Sequence, residues 1–346
     1  MNHRDLGVSL VVGALTFLNV VAVPLVFADS TNGDIFYSTF SGNDRVFKRS
    51  YTFDGTTTLT YGLESVISTI VPGGLSGADG LVFDPTNTSF LIVGGQDGHF
   101  NRVNVGTGVA TQSTDFFPLS GATIYHLAID PSGTSVWGAG IPGSPIVNLS
   151  LTPFNSGSST LPISGAVSAI TGLAFDGAGT AYYTSSVPAG GSDFGTISLI
   201  TGVTTPILGA GSAAHGLIFD SFTGNLILTG DSEVKQFDPV GGTFVSTLSL
   251  PGNQFDQGTT DGKGHLFVAS NDGHMLFVDY HTSKLVGDAS NFVNLDTTTF
   301  PDTLDDVAPL SGPGSQNPVP EPTSLLLFGL GGLGVGLVRR RRTQIA

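Results

Sequence analysis

Short apolar runs alternate with polar turns along most of the chain, and one phrase of this pattern recurs. Each clear copy is an apolar strand that ends in Asp. The clear copies are 80–84 (GLVFD), 126–130 (HLAID), 172–176 (GLAFD) and 216–220 (GLIFD). Two weaker copies follow at 257–261 and 306–310. The period is about 45 residues, which is typical of repeated units that are each too small to bury their own apolar face.

The pattern within a unit predicts β-strands joined by tight turns. After the Asp comes a turn, such as 85–87, and then a second apolar strand, such as 89–93. An Asp-Gly pair at 97–98 or 272–273 then leads into a third strand. Asp-Gly suits hairpin turns because both central residues must take positive φ. Three strands plus a variable fourth form one blade of a β-propeller.

The first and last units are each incomplete. Residues 34–38 resemble a second strand and 45–49 a third, with no first strand before them. The last unit, at 304–310, has a first strand only. Pairing of the C-terminal strand with the N-terminal ones would complete both units and leave no exposed sheet edge. We therefore predict an all-β, six-bladed propeller over residues 29–310, closed by its terminal strands. A β-sandwich is the alternative fold.

On its G-L-x-F-D phrase and the following strand, the repeat resembles the propeller superfamily of NHL-repeat, YVTN-repeat and streptogramin-lyase-like proteins. The resemblance implies an architecture and no particular activity, because propellers include hydrolases, lyases, lectins and scaffolds. The related lyases and lactonases use a fuller set of His and Glu. In the body of this chain the Glu residues are Glu64 and Glu233, which weakens an enzymatic interpretation.

The N-terminus has the order of a secretory signal peptide. A charged head is followed by an apolar run over 6–27, and Ala28 precedes Asp29. This order predicts a signal peptide over 1–28, cleaved near Ala28. The alternative is an uncleaved membrane anchor, since the run is long enough to cross a bilayer.

The C-terminus has three features in fixed order. They are the motif at 319–322, an apolar transmembrane segment at 324–338, and a terminal arginine cluster; the named residues are Pro320, Glu321, Pro322, Arg339, Arg340, Arg341 and Arg342. The arginines are expected to stay on the cytoplasmic side. The tail, 319–346, resembles the PEP-CTERM sorting signal of Gram-negative bacteria. That resemblance implies an exosortase, a membrane cysteine transpeptidase-like enzyme, as partner. We interpret 311–318 as a linker that forms a flexible tether outside the ring.

Composition narrows the possibilities further. The formal net charge is −15, which argues against nucleic-acid binding because an acidic surface repels phosphates. The chain has no Cys, so an exported form has no disulfides and depends on its core. The acids are mainly Asp, a residue that also serves turns.

Candidate chemistry lies just before the inner-strand Leu, at the mouth of the predicted channel. The equivalent positions are Asp79, Tyr125, Thr171, His215, Asp256 and Asp305, followed one place later by His126, Gln257 and Asp306. As metal- or ligand-binding candidates we select Asp79, His126, His215, Asp256 and Asp305. Carboxylates and imidazoles there could hold Ca²⁺ or Mg²⁺, or act as acid and base. These residues are equally consistent with a structural role, in which the Asp side chains accept hydrogen bonds from backbone N–H groups. We assign no catalytic residue and no definite cofactor.

Taken together, these features predict an exported protein of the cell surface or extracellular matrix, transiently anchored in the inner membrane by its C-terminus. Its propeller would be a binding or scaffolding module with a polysaccharide or protein partner. One alternative is a lyase or hydrolase acting on a sugar or lactone at the channel mouth. The other is a structural matrix protein without a specific ligand.

Overall fold

The structure is a computed structural model that describes residues 30–39, 45–69, 77–95, 98–113, 124–139, 145–164, 167, 170–185, 193–300 and 304–316. Within these ranges it contains β-strands, one short 3₁₀ turn at Gly211–Ala213 and no α-helix. The strands are β1 (Thr31–Thr39), β2 (Arg45–Phe53), β3 (Leu59–Tyr61), β4 (Ser65–Thr69), β5 (Ala78–Phe83), β6 (Phe90–Gly95), β7 (Phe100–Asn104), β8 (Ala110–Gln112), β9 (Leu127–Ile129), β10 (Ser135–Gly138), β11 (Ile146–Leu151), β12 (Phe154–Leu161), β13 (Gly172–Phe175), β14 (Ala181–Ser185), β15 (Asp193–Ile197), β16 (Thr204–Ile207), β17 (Gly216–Asp220), β18 (Asn225–Asp238), β19 (Thr243–Thr260), β20 (His265–Ser270), β21 (Met275–Asp279), β22 (Phe292–Asp296) and β23 (Leu304–Val307).

These strands form five antiparallel sheets in a propeller arrangement. Three sheets have four strands each, in the orders β5-β6-β7-β8, β12-β11-β10-β9 and β13-β14-β15-β16. The sheet at the termini has the order β23-β1-β2-β3, with β4 also paired to β2. The fifth sheet has six strands, β17 to β22 in sequence order. The all-β propeller prediction is confirmed at this level.

The prediction of six blades is wrong, because the structure has five. The repeat pattern predicts separate units for the phrases at 216–220 and 257–261, but both phrases belong to the six-stranded sheet. The strand β19 runs without a break from Thr243 to Thr260. Its first part pairs with β18 and its second part with β20, so no turn separates the two units.

The first and last strands of the described ring pair with each other. Tyr37 of β1 lies opposite Val307 of β23, and Thr39 opposite Leu304. Aromatic side chains of the terminal sheet pack against aromatic side chains of the six-stranded sheet. The ring centroids of Tyr51 and Phe267 are 4.7 Å apart. Each such pair stabilises the fold by about 1 kcal/mol beyond the area that it buries.

The Gly at the start of the recurring phrase and the Asp at its end each have a structural role. Its Asp caps the following turn: Oδ1 of Asp84 accepts hydrogen bonds from the backbone N–H and the hydroxyl of Thr86. Its Gly allows inner strands of adjacent sheets to approach closely. A Cβ on Gly80 would lie 2.6 Å from the carbonyl oxygen of Tyr125, and one on Gly172 would lie 2.8 Å from that of His215. The interpretation of these Asp residues as turn formers is therefore correct.

Inner strands of all five sheets surround a central cavity of about 730 Å³. Its lining is mainly aliphatic and includes Val82, Leu127, Leu173, Leu217 and Val307. Residues 311–313 also line it.

Residues 311–316, which belong to the predicted tether outside the ring, instead pack against inner strands. The hydroxyl of Ser311 donates to the carbonyl oxygen of Thr260, and the carbonyl oxygen of Gly314 accepts a hydrogen bond from the backbone N–H of Phe83. Ser315 is fully buried. This part of the tether interpretation is corrected, because apolar contacts and these hydrogen bonds hold the segment on the ring.

The predicted signal peptide at 1–28, the sorting motif, the transmembrane segment and the arginine cluster lie outside the described residues. Within the described ranges, no helix has the length and apolar character that crossing a membrane requires.

Candidate functional site

Most of the predicted site residues lie at or next to the starts of inner strands, and Asp256 lies within the second part of β19. Asp79 belongs to β5, Asp256 to β19 and Asp305 to β23. His126 precedes β9 by one residue, and His215 precedes β17 by one residue. Because the inner strands of a propeller converge on its axis, residues far apart along the chain meet here.

His126 is the centre of this cluster. Its side chain is 2% exposed, and both ring nitrogens face carboxylates. Nδ1 lies 3.0 Å from Oδ2 of Asp306, and Nε2 lies 3.3 Å from Oδ1 of Asp256. The imidazole therefore bridges β23, which closes the ring, and β19.

His215 approaches the same carboxylate from the start of β17, in the sheet that also contains Asp256. Its Nε2 lies 2.9 Å from Oδ1 of Asp256. The rings of His126 and His215 are 5.6 Å apart between centroids and nearly perpendicular, at 87°. The His215 side chain is 32% exposed, so the cluster opens to solvent on this side.

Two further carboxylates complete the cluster. Asp79 and Asp305 are each 3% exposed. Three groups of residues bring one ligand atom each to within 4.8 Å of one another; they are His126–His215–Asp256, Asp79–His126–Asp306 and Asp256–Asp305–Asp306. Oδ2 of Asp305 is buried and accepts no hydrogen bond from the residues that the structure describes.

Burial and neighbouring charges together raise the pKa values of His126 and Asp305 and lower that of Asp256. Burial lowers the pKa of His126, but the carboxylates of Asp306 and Asp256 outweigh this effect and raise the pKa well above its ordinary value. Burial disfavours ionisation of Asp256, yet His215 and His126 hold its pKa well below the ordinary value. Burial, followed by the charges of Asp79, Asp256 and Asp306, raises the pKa of Asp305 well above its ordinary value.

The residue types of the cluster are ones that could hold a cation. Four carboxylates lie within reach of two imidazoles in a buried region. An isolated buried carboxylate is costly and is normally paired, protonated or bound to a metal. The donor set of carboxylate oxygens and imidazole nitrogens is one that divalent cations use.

All five candidate residues chosen from the sequence take part in the groups that could hold an ion. Asp306 also takes part, although the selection left it out. Its position one place after Asp305 in the last unit is the signal that could have identified it.

Two of the neighbouring positions have structural partners. The hydroxyl of Thr171 donates to the carbonyl oxygen of His215, at 3.0 Å. Oε1 of Gln257 accepts a hydrogen bond from the backbone N–H of Leu217, also at 3.0 Å. Both side chains thereby tie adjacent inner strands together beside the cluster.

Comparison with known proteins identifies the tail. Residues 318–342 match the family model described as the PEP-CTERM protein-sorting motif. The match implies an exported, exosortase-sorted protein of the kind found in Gram-negative bacteria. No curated protein matches the chain. One similar solved structure is entitled "Crystal Structure of Mitotic Checkpoint Complex", with 13% identity, coverage of 88% of this chain and 91% of that chain, and a TM-score of 0.48. None of these matches supports the resemblance to the NHL and YVTN repeat families, which stays a prediction.

Proposed function

We propose that this protein is a binding or scaffolding module of the cell surface or extracellular matrix, and that it binds a divalent cation at the His–Asp cluster. In this proposal, a signal peptide at 1–28 exports the chain. The segment 324–338 holds it transiently in the inner membrane until an exosortase acts at the sorting motif.

The observation that carries the cation proposal is the convergence of Asp79, His126, His215, Asp256 and Asp305 in one place. A cation would favour the ionised form of these buried carboxyl groups, because a buried carboxylate is costly unless it is paired or bound to a metal. Oδ2 of Asp305 is buried and accepts no hydrogen bond from the described residues, which supports a place for a cation beside it.

The partial exposure of His215 supports a role in binding rather than in stability alone. Its side chain is 32% exposed while Asp256 beside it is nearly buried. A bound cation would therefore keep one side open to a ligand from outside the propeller. A polysaccharide or a protein with oxygen donors fits such a position, since hard and borderline cations accept carboxylate and hydroxyl oxygens.

The test is thermal unfolding of the purified full chain after EDTA treatment, with Ca²⁺, Mg²⁺, Mn²⁺ or Zn²⁺ added back. A cation that binds only the folded state at 100 times its Kd stabilises it by about 2.7 kcal/mol. We expect at least one of these ions to raise the Tm by several degrees. The gain should disappear in Asp256→Asn and persist in Asp238→Asn, whose carboxylate caps a turn outside the cluster. If no ion raises the Tm, the cation proposal fails.

A further inference from the structure

We propose that the cation at this cluster is a first-row transition metal of the Zn²⁺ class rather than Ca²⁺ or Mg²⁺, bound by Nε2 of His126, Nε2 of His215 and the carboxylate of Asp256. The inference rests on the proposed function and narrows its ligand to one class of metal.

Two of the three distances between the ligand atoms already have nearly the values that such an ion requires. Nε2 of His126 and Nε2 of His215 lie 3.3 Å and 2.9 Å from Oδ1 of Asp256. Zinc bonds nitrogen and carboxylate oxygen at about 2.1 Å, so neighbouring ligands of a tetrahedral site lie about 3.4 Å apart. Small side-chain shifts would therefore be enough to seat the ion.

Asp306 supplies the support that a metal-binding imidazole needs. It lies 3.0 Å from Nδ1 of His126, on the opposite side of the ring from Asp256. A carboxylate there accepts a hydrogen bond from Nδ1–H and so leaves the Nε2 lone pair directed at the metal. This arrangement of carboxylate, histidine and metal is a recurrent feature of zinc sites.

The donor types discriminate between classes of cation. Ca²⁺ and Mg²⁺ prefer sites made entirely of oxygen ligands, and Mg²⁺ retains most of its waters. Imidazole nitrogen suits Zn²⁺, Cu²⁺, Fe²⁺ and Ni²⁺. Two imidazoles on the same carboxylate oxygen therefore favour the second group of metals.

The cluster leaves a coordination position for an external ligand. His126 and Asp256 are buried, whereas His215 is 32% exposed. Three protein ligands with an open fourth position are typical of zinc sites that exchange a ligand. The neighbouring Asp305, with Oδ2 buried and accepting no hydrogen bond from described residues, lies beside these ligands.

The test is a Co²⁺ titration of the full-length chain in detergent, followed by visible absorption and by competition with Zn²⁺. We expect one tightly bound Co²⁺ per chain with the intense bands of a four-coordinate site, displaced by one equivalent of Zn²⁺. His126→Gln and His215→Gln should lose these bands. His281→Gln should keep them, since His281 pairs with Asp279 outside the cluster. Circular dichroism of each variant reports whether it is folded.

A milder variant keeps the test informative if the histidine variants unfold. Asp306→Asn retains the size of the side chain and removes the supporting charge, so the affinity for Co²⁺ should fall by about 10- to 100-fold. The inference would be overturned if bound Co²⁺ showed only the weak absorption bands of an octahedral site. It would also be overturned if His281→Gln lost the Co²⁺ bands to the same extent as the variants of the cluster. If Ca²⁺ or Mg²⁺ raises the Tm and Zn²⁺ and Co²⁺ do not bind, the inference fails while the proposed function stands. If no cation binds, both fail.

Discussion

The side chains of His126 and Asp306 lie 180 positions apart along the chain and meet at 3.0 Å in the interior of the propeller. Asp306 belongs to β23, the strand that pairs with β1 at the junction of the two termini. The contact therefore joins the closing strand to a blade on another side of the channel. Its strength bears on how firmly the ring is closed.

We predict that Asp306→Ala lowers the free energy of unfolding by about 3 kcal/mol, because it leaves the buried imidazole without its main counter-charge. Denaturant unfolding in the presence of EDTA measures this loss. The double variant His126→Leu, Asp306→Leu should recover much of it, since apolar replacement of a buried pair is often neutral. A loss below about 0.5 kcal/mol for Asp306→Ala would mean that the contact contributes little.

Gly80→Ala should destabilise the propeller by about 2 kcal/mol or more. The added Cβ would lie 2.6 Å from the carbonyl oxygen of Tyr125 and 2.7 Å from the backbone nitrogen of Leu127. Backbone atoms cannot move aside as a flexible side chain can, so adjacent inner strands must separate. Gly157→Ala is the matched control, because nothing lies within 4 Å of its Cβ position. Equal Tm values for the two variants would refute the close-approach explanation of the repeat.

Without added cation, we predict that stability falls as the pH rises from 5 to 9. The pKa of His126 is raised above its ordinary value of 6.5, so its contribution is complete below that pH and is lost as the pH rises through the folded-state pKa. The pKa of Asp305 is also raised, so the folded state keeps a proton that the unfolded state releases. Both effects therefore make the folded state less stable as the pH rises above 5.

Melting temperatures in EDTA across this range measure the effect. His126→Gln should flatten the profile. Asp305→Asn, which has the shape of the protonated acid, should be more stable than the unmodified protein at pH 8. A Tm that rises between pH 5 and pH 9 would contradict this assignment of charges.

Removal of residues 319–346 should leave a folded propeller, whereas removal of 309–346 should destabilise it. The second deletion takes away the hydrogen bonds from the N–H of Leu310 to the Thr259 hydroxyl and from Ser311 to Thr260. It also exposes the apolar lining of the central cavity. Thermal unfolding of the two truncated proteins compares them. Equal stability would indicate that residues 309–316 contribute nothing to the ring.

Much of the fold could be predicted from local signals. The period of the G-L-x-F-D phrase located inner strands such as β13 and β17, because its Gly and Asp are each fixed by contacts within or next to the strand. The number of blades could not be counted in this way. The continuity of β19 depends on pairing with β18 and β20 in turn, which a repeat pattern does not record.

The site was only partly visible in the sequence. Equivalent positions in successive units identified His126, His215 and Asp256, since convergence on the axis follows from the architecture. The pairing of Nδ1 of His126 with Asp306 depends on side-chain direction across 180 residues, and no spacing rule encodes it. The packing of 311–316 was missed because its Gly and Pro residues are equally typical of a linker.

The most direct test of the central claim is an experimental structure of the zinc-loaded protein, with anomalous diffraction measured at the zinc edge. We expect one strong anomalous peak about 2.1 Å from Nε2 of His126, Nε2 of His215 and a carboxylate oxygen of Asp256. Asp306 should remain hydrogen-bonded to Nδ1 of His126. Zinc bound elsewhere with no peak between these three side chains would contradict it.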